Sequence, residues 1–261
     1  MLINYCIVKI PMANSVLYDL DHPLMISKFK NIGLAREDVK GLPEDISYSL
    51  ANGALSPLML LKIKQADNTF LMPAKIQIAI DEKTKQPELY IYGVTNKIEN
   101  SYNLNSHSFE EYKKGKILLV KEKDQVFLVQ IDPETKNPLK ISSNEIDQKL
   151  NSLEKILDIE LGKEQRERIK EGKPVTLEVG GENVTIGVDL RSPHSFKQLK
   201  GDMKEWERQK AIDYDIAHPE YVGIVQTDQN RWEKHMIQTQ GYNSPELKQA
   251  PQQVKSAGIK L

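Results

Sequence analysis

The residues from Asp81 to Pro87 read DEKTKQP, and those from Asp132 to Pro138 read DPETKNP. Both segments follow the pattern Asp-x-x-Thr-Lys-(Gln/Asn)-Pro. Asp opens turns by accepting backbone N–H bonds, and Pro cannot continue a strand ladder, so the pattern predicts a turn that ends one strand and precedes another. We favour this interpretation over a shared catalytic role for the two aspartates. A turn written twice also indicates a repeated structural unit.

A longer pattern surrounds these turns. GKILLVKEKDQVFLVQID begins at Gly115 and ends at Asp132, and GKPVTLEVGGENVTIGVD begins at Gly172 and ends at Asp189, so both segments have the same length. A charged stretch compatible with a helix precedes each glycine, and a third such stretch ends at Gly53. Glycine just past a helix adopts the left-handed conformation easily, so we predict that these three glycines end helices.

The segment after Gly172 alternates apolar and polar residues as strands do. Val175, Leu177 and Val179 are its apolar positions, and Gly180-Gly181 then predicts a two-residue hairpin turn of the primed type. Each unit is therefore predicted to contain a helix, a glycine, a β-hairpin, an Asp turn (the third at Asp189) and a further strand. A lone hairpin is marginally stable in water, so neighbouring units are expected to share a core.

These patterns predict an α+β protein built from repeated helix-plus-antiparallel-hairpin units, with a mostly helical C-terminal extension. The predicted organisation is an N-terminal α+β domain at residues 1–105, two further repeat units at 106–201, a helical extension at 202–240 and a flexible tail at 241–261.

The charge balance limits the classes of function. The chain carries 36 Lys and Arg residues against 37 Asp and Glu residues, whereas a general nucleic-acid binder usually has excess positive charge. Its single cysteine, Cys6, cannot form an intramolecular disulfide and fits a reducing compartment. No apolar run approaches the roughly 18 to 20 residues that span a bilayer. We therefore expect a cytoplasmic protein with no membrane partner.

One short motif suggests a reaction. VLYDLDHPL, from Val16 to Leu24, resembles the first motif of haloacid-dehalogenase-like phosphatases, which implies Asp19 as nucleophile and Asp21 as general acid/base beside Mg²⁺. However, His-Pro follows where that family has Gly-Thr, and Pro is typical of a first helical turn, so we predict that Asp21 caps a helix. A phosphohydrolase stays a remote alternative. The five histidines lack metal-ligand spacing, and we expect no metal and no cofactor.

The segment from 202 to 239 concentrates Trp, Tyr and Arg residues. Its two tryptophans lie in the similar contexts KEWERQK and NRWEKH, on two predicted helices. One interpretation is that each indole is buried against the β units. The other is a surface for a protein partner, because these residue types are enriched among interface anchors. The residues predicted to contact such a partner are Trp206, Arg208, Tyr214, Tyr221, Arg231 and Trp232.

The segment LGKEQRERIKEGKPVTLEV resembles an element of an uncharacterised Bacteroidetes family, in which Leu-x-x-Glu-Gln-x-x-x-Leu-x-Glu-Gly-Lys-x-Val precedes a hairpin. Residues 24–94 look like the N-terminal domain found with it, and the resemblance spans roughly residues 24–240. It implies an association with conjugative and other mobile elements and supplies no catalytic residues. The matching positions are Leu161, Glu164, Gln165, Ile169, Glu171, Gly172, Lys173 and Val175.

We therefore predict a non-enzymatic interaction or accessory protein, of a conjugative or other mobile element, whose partner is a protein. The alternative is a nucleic-acid-binding accessory protein, although the balanced charge does not indicate one. A continuous basic face with an exposed tryptophan would favour that alternative.

Overall fold

The structure is a computed structural model of the chain. It describes residues 17–65, 68–81, 83–95, 97–157, 159–214, 220–227, 229, 231–238 and 259–260. Helices and antiparallel hairpins both occur, and the strands lie in three separate sheets of the described chain, which confirms the predicted α+β class.

The helices are α1 (Pro23–Asn31), α2 (Arg36–Lys40), α3 (Glu44–Ala51), α4 (Ser106–Lys113), α5 (Ser143–Leu157), α6 (Lys163–Lys170) and α7 (Met203–Asp213). The strands are β1 (Met59–Gln65), β2 (Asn68–Ile80), β3 (Pro87–Gly93), β4 (Leu118–Glu122), β5 (Gln125–Ile131), β6 (Pro138–Ser142), β7 (Val175–Val179), β8 (Glu182–Val188), β9 (Phe196–Lys200), β10 (Glu220–Gln226), β11 (Trp232–Gln238) and β12 (Ile259–Lys260).

The chain forms two compact units whose segments alternate along the sequence. The first unit comprises the described residues of 16–101, 132–138 and 216–261. The second comprises those of 102–131 and 139–215.

The first unit is built on a sheet with the strand order β11-β10-β1-β2-β3-β12, in which β1 and β10 are parallel and the other pairs are antiparallel. The alternating residues Ala74, Ile76 and Ile78 of β2 are fully buried, together with Phe29 of α1 and Leu50 of α3. Burying a large apolar side chain contributes about 1.5–3 kcal/mol, so this shared cluster stabilises both the helices and the sheet.

The N-terminus of α1 corrects one sequence prediction. His22 is the cap, and its Nδ1 accepts a hydrogen bond from the Leu24 N–H at 3.3 Å. The predicted cap, Asp21, is wrong because its carboxylate instead accepts two hydrogen bonds from Arg36, at 2.7 and 2.5 Å. Lys40 is a second cation near Asp21, at 3.9 Å.

The second unit contains two three-stranded sheets, with the orders β4-β5-β6 and β7-β8-β9. In each sheet a hairpin is followed by an Asp turn and a third strand. Helix α5 buries Ile146, Leu150 and Leu153, which lie on one stripe at helical spacing.

Glycines with positive φ follow three helices. The φ angle is +73° at Gly53, +75° at Gly115 and +77° at Gly172. At Gly115 a Cβ would lie 2.2 Å from the ring of Tyr214, so both the backbone and the packing require glycine there. The hairpin turn at Gly180-Gly181 also has positive φ at both residues.

The two DxxTK turns have the same geometry. The N–H of Asp81 donates to the carbonyl of Gln86 at 2.9 Å, and the N–H of Asp132 donates to that of Asn137 at 2.9 Å. Lys85 and Lys136 hold equivalent positions with φ of +55° and +58°. At Asp189 the turn is one residue longer, since its N–H donates to the carbonyl of Ser195. That the segments around Asp81, Asp132 and Asp189 are copies of one repeated helix-plus-hairpin unit stays a prediction.

The helical extension predicted at 202–240 is only partly helical. Helix α7 fits the prediction, but residues 220–226 and 232–238 form a β-hairpin that adds to the first sheet. The β-branched run Val222, Ile224 and Val225 favours a strand, and burial of Ile224 against the first sheet outweighs the helix-forming charged residues around it. The predicted tail at 241–261 lies outside the described residues except for β12.

Candidate partner-binding surface

The β10–β11 hairpin forms one end of the six-stranded sheet. Strand β10 pairs antiparallel with β11, and Val222 lies directly opposite Met236. In the part of the chain that the structure describes, β10 is the only strand next to β11. The outer side of β11 is therefore a sheet edge, where backbone donors and acceptors have no ladder partner among the described strands.

Gly223 lets the hairpin approach the rest of the sheet. The N–H of Ile224 donates to the carbonyl of Leu58 at 2.8 Å, which joins β10 to the start of β1. A Cβ at position 223 would lie 2.3 Å from the Leu58 oxygen and 2.4 Å from Cδ1 of Ile237. The Leu58 oxygen is a backbone atom, so a larger residue at 223 would force β10 and β1 apart.

Trp232 attaches the hairpin to α2. Its Nε1 donates to the carbonyl of Asp38 at 2.9 Å, and its half-buried ring packs against the hydrophobic core. Gln226, directly opposite Trp232, donates to the Asp38 carboxylate at 2.5 Å. Trp232 is thus an anchor within the fold, although it lies on a strand and is bonded to α2, whereas the sequence pattern predicts a helix there.

Two hydrogen bonds define which way the backbone groups of the hairpin point. The N–H of Thr227 donates to the carbonyl of Arg231 at 2.8 Å, and the N–H of Ile224 points to β1. Backbone groups of successive strand residues point to opposite sides, so the side is fixed for every residue of β11. The β11 residues whose N–H and C=O groups point away from β10 are Trp232, Lys234, Met236 and Gln238.

An apolar pair lies beside this edge. Val222 is 58% exposed and Met236 is 57% exposed, although their neighbour on the same face, Ile224, is buried. Because the two side chains lie directly opposite each other, they form one exposed apolar pair beside the sheet edge, which an apolar side chain of another molecule could cover. The charged residues along β11 are of both signs, because Glu233 is followed by Lys234 and both are exposed.

The other predicted partner contacts belong to the second unit. Trp206 is only 5% exposed and Tyr214 only 7%, so neither is available as a surface anchor, and that part of the prediction is wrong. The physical reason is packing against glycines: a Cβ at Gly187 would lie 2.8 Å from the Trp206 ring, and the Tyr214 ring lies against Gly115.

The remaining predicted contacts are exposed or half-buried. Arg208 is exposed and donates to Glu205 at 2.8 Å, which holds the pKa of that carboxyl below its usual value. Tyr221 is half-buried on β10, and Arg231 is exposed at the end of the hairpin turn. Three of the six predicted residues, at 221, 231 and 232, therefore lie together on the hairpin. Val222 and Met236 were missed because a helical assignment hid their cross-strand pairing.

The possible phosphatase motif gains no support from its geometry. The hydrogen bond from Arg36 lowers the pKa of Asp21, and Asp19 accepts a hydrogen bond from the Asp21 N–H at 2.9 Å. Within the described ranges, no group of three or more His, Cys, Asp or Glu side chains is placed to hold a metal ion. Among the helices described, none is both long enough and apolar enough to cross a bilayer.

Comparison of the chain with protein-family models, with curated proteins and with solved structures gave no match.

Proposed function

We propose that this is a non-enzymatic interaction protein that binds an extended segment of a partner protein along the outer side of β11. The observation that carries the proposal is the exposed Val222–Met236 pair beside a strand edge. Backbone pairing supplies affinity in such complexes, and alternate side chains supply specificity. An accessory role for a mobile element is part of the proposal and rests on the sequence resemblance alone.

The partner segment has a defined chemistry. It would form ladder bonds to the outward backbone groups of Lys234 and Met236, and it would place an apolar residue beside Met236. Glu233 and Lys234 are charged and exposed. A partner strand that places a like charge directly opposite either residue is disfavoured, because cross-strand pairs of like charge destabilise a sheet. Neither charge sign dominates β11, so the hairpin does not favour nucleic acid over protein.

A proline substitution at the strand edge tests strand addition directly. Lys234→Pro removes an N–H that points outward and sacrifices no bond to β10, and proline is tolerated at such edge positions. Peptides selected from a displayed library for binding to the full chain should carry alternating apolar residues. Their affinity should fall at least tenfold in Lys234→Pro, while the Tm stays close to that of the parent.

Matched variants distinguish the contribution of the backbone N–H at the strand edge from that of the side chains. Lys234→Ala should keep the affinity, because it retains the backbone N–H. Met236→Lys should weaken binding by removing the apolar contact. Equal peptide affinity of Lys234→Pro and the parent would contradict the proposal. A dimer of the parent that Lys234→Pro abolishes would show that a second copy, and not a different protein, occupies this edge.

A further inference from the structure

A small pocket in the second unit lies between the Asp189 turn, β9 and α7. Its cavity volume is about 10 Å³, which is enough for one small species. The charged side chains that line it are those of Asp189, Arg191, Lys197, Lys210 and Asp213, and Trp206 also contributes to the wall.

Most of these charges form pairs. Arg191 donates to both carboxylate oxygens of Asp189, each at 3.0 Å, and Lys197 binds the carboxylate of Asp213. Lys210 has no carboxylate within 4.0 Å among the described residues. The pocket lining therefore carries three cationic groups and two anionic groups.

Two donors at the pocket have no acceptor among the residues that the structure describes. Trp206 is 95% buried, and its Nε1 has no hydrogen-bond partner in the described part of the protein. Lys210 is half-buried, and burial lowers its pKa although Asp189 acts in the opposite direction. A buried donor without an acceptor destabilises a fold, and a buried ammonium without a counter-charge does so more strongly.

We propose that this pocket binds a small monovalent anion of about chloride size, with Lys210 and Trp206 as its donors. Lys210 and Trp206 both line the pocket, and an anion bound there would supply the acceptors that their N–H groups lack among the described residues. A bound halide neutralises the excess positive charge of the lining, while the pairs Arg191–Asp189 and Lys197–Asp213 stay intact.

Tryptophan fluorescence gives a direct readout. The chain has two tryptophans, so Trp232→Phe leaves Trp206 as the only indole. Sodium chloride replaces sodium gluconate at constant ionic strength. The Trp206 emission should change along a saturating curve, and the Tm should rise over the same concentration range, since a ligand that binds only the folded state stabilises it. The Tm measurement is repeated on the parent, in case Trp232→Phe folds poorly.

Variants of α7 identify the donor. Lys210→Met should abolish the chloride dependence and raise the Tm in gluconate, because no partly desolvated ammonium without a paired carboxylate remains in the pocket. Lys210→Gln should also lose the dependence. Lys204→Met, at an exposed position on the same helix, should keep it. Identical emission and Tm in chloride and gluconate would overturn the proposal and show that water alone occupies the pocket. Retained chloride dependence in both Lys210 variants would overturn it equally.

Discussion

Helix α7 and the β10–β11 hairpin are neighbours in sequence and similar in composition, yet they use their aromatic residues in different ways. In α7 the indole of Trp206 is buried against the β8 glycine, Gly187. In the hairpin Trp232 is half-buried and bonded to α2, and the exposed apolar surface comes from Val222 and Met236. Composition alone therefore identifies a segment rich in contacts without showing which of its residues face outward.

The largest expected difference between the regions is in the cost of removing a buried ring. Trp206→Ala should lower the free energy of unfolding by about 3–5 kcal/mol, the usual range for a large core aromatic. Val222→Ala, in the hairpin, should change it by less than about 0.5 kcal/mol, as exposed positions do. Chemical denaturation of both variants measures the contrast, and equal costs would show that Trp206 is not buried.

A smaller effect is expected where the hairpin joins the sheet. Gly223→Ala would place a Cβ against the Leu58 carbonyl and should cost about 1–3 kcal/mol, as overpacking does. Gly180→Ala, in the β7–β8 turn, is the control for added bulk, since no atom lies within 4 Å of its Cβ position. Its positive φ alone should cost about 1 kcal/mol. A Gly223→Ala variant as stable as the parent would place β10 farther from β1.

A still smaller effect concerns acid stability of the second unit. Burial opposes ionisation of Asp189, but the guanidinium of Arg191 outweighs it and holds the pKa of this carboxyl below its usual value. A depressed folded-state pKa stabilises the protein above the unfolded pKa, near 3.8, and this contribution is lost as pH falls through the folded value. Denaturation between pH 5 and 2 should therefore be less pH-dependent in Asp189→Asn. An unchanged pH dependence would remove Asp189 from the acid response.

Local chemistry made much of the fold predictable. Gly115 and Gly172 follow helices, and the DxxTK turns place Asp81 and Asp132 at the ends of strands, because backbone conformation there depends on a few adjacent residues. The parallel pairing of Met59 with Ile224 was not predictable, since it joins distant parts of the chain. The buried ion pair of Lys75 with Asp132, at 2.8 Å, has the same long-range origin.

The candidate site shows the same division. Tyr, Trp and Arg content identified the segment that contains the hairpin. The edge itself depends on strand order, and the exposure of Met236 depends on its register with Val222, which no spacing in the sequence specifies. A period of two in Val222 and Ile224 was the one signal that favoured a strand there.

Amide hydrogen exchange along β11 tests the central claim most directly. In the free protein the amides of Glu233, His235 and Ile237 point to β10 and should be protected. Those of Lys234 and Met236 point outward and should exchange quickly, which gives an alternating pattern. A bound partner segment should then slow exchange at Lys234 and Met236 and leave the other three unchanged. Uniform protection along β11 in the free protein, or no change at Lys234 and Met236 on binding, would contradict an open edge that accepts a strand.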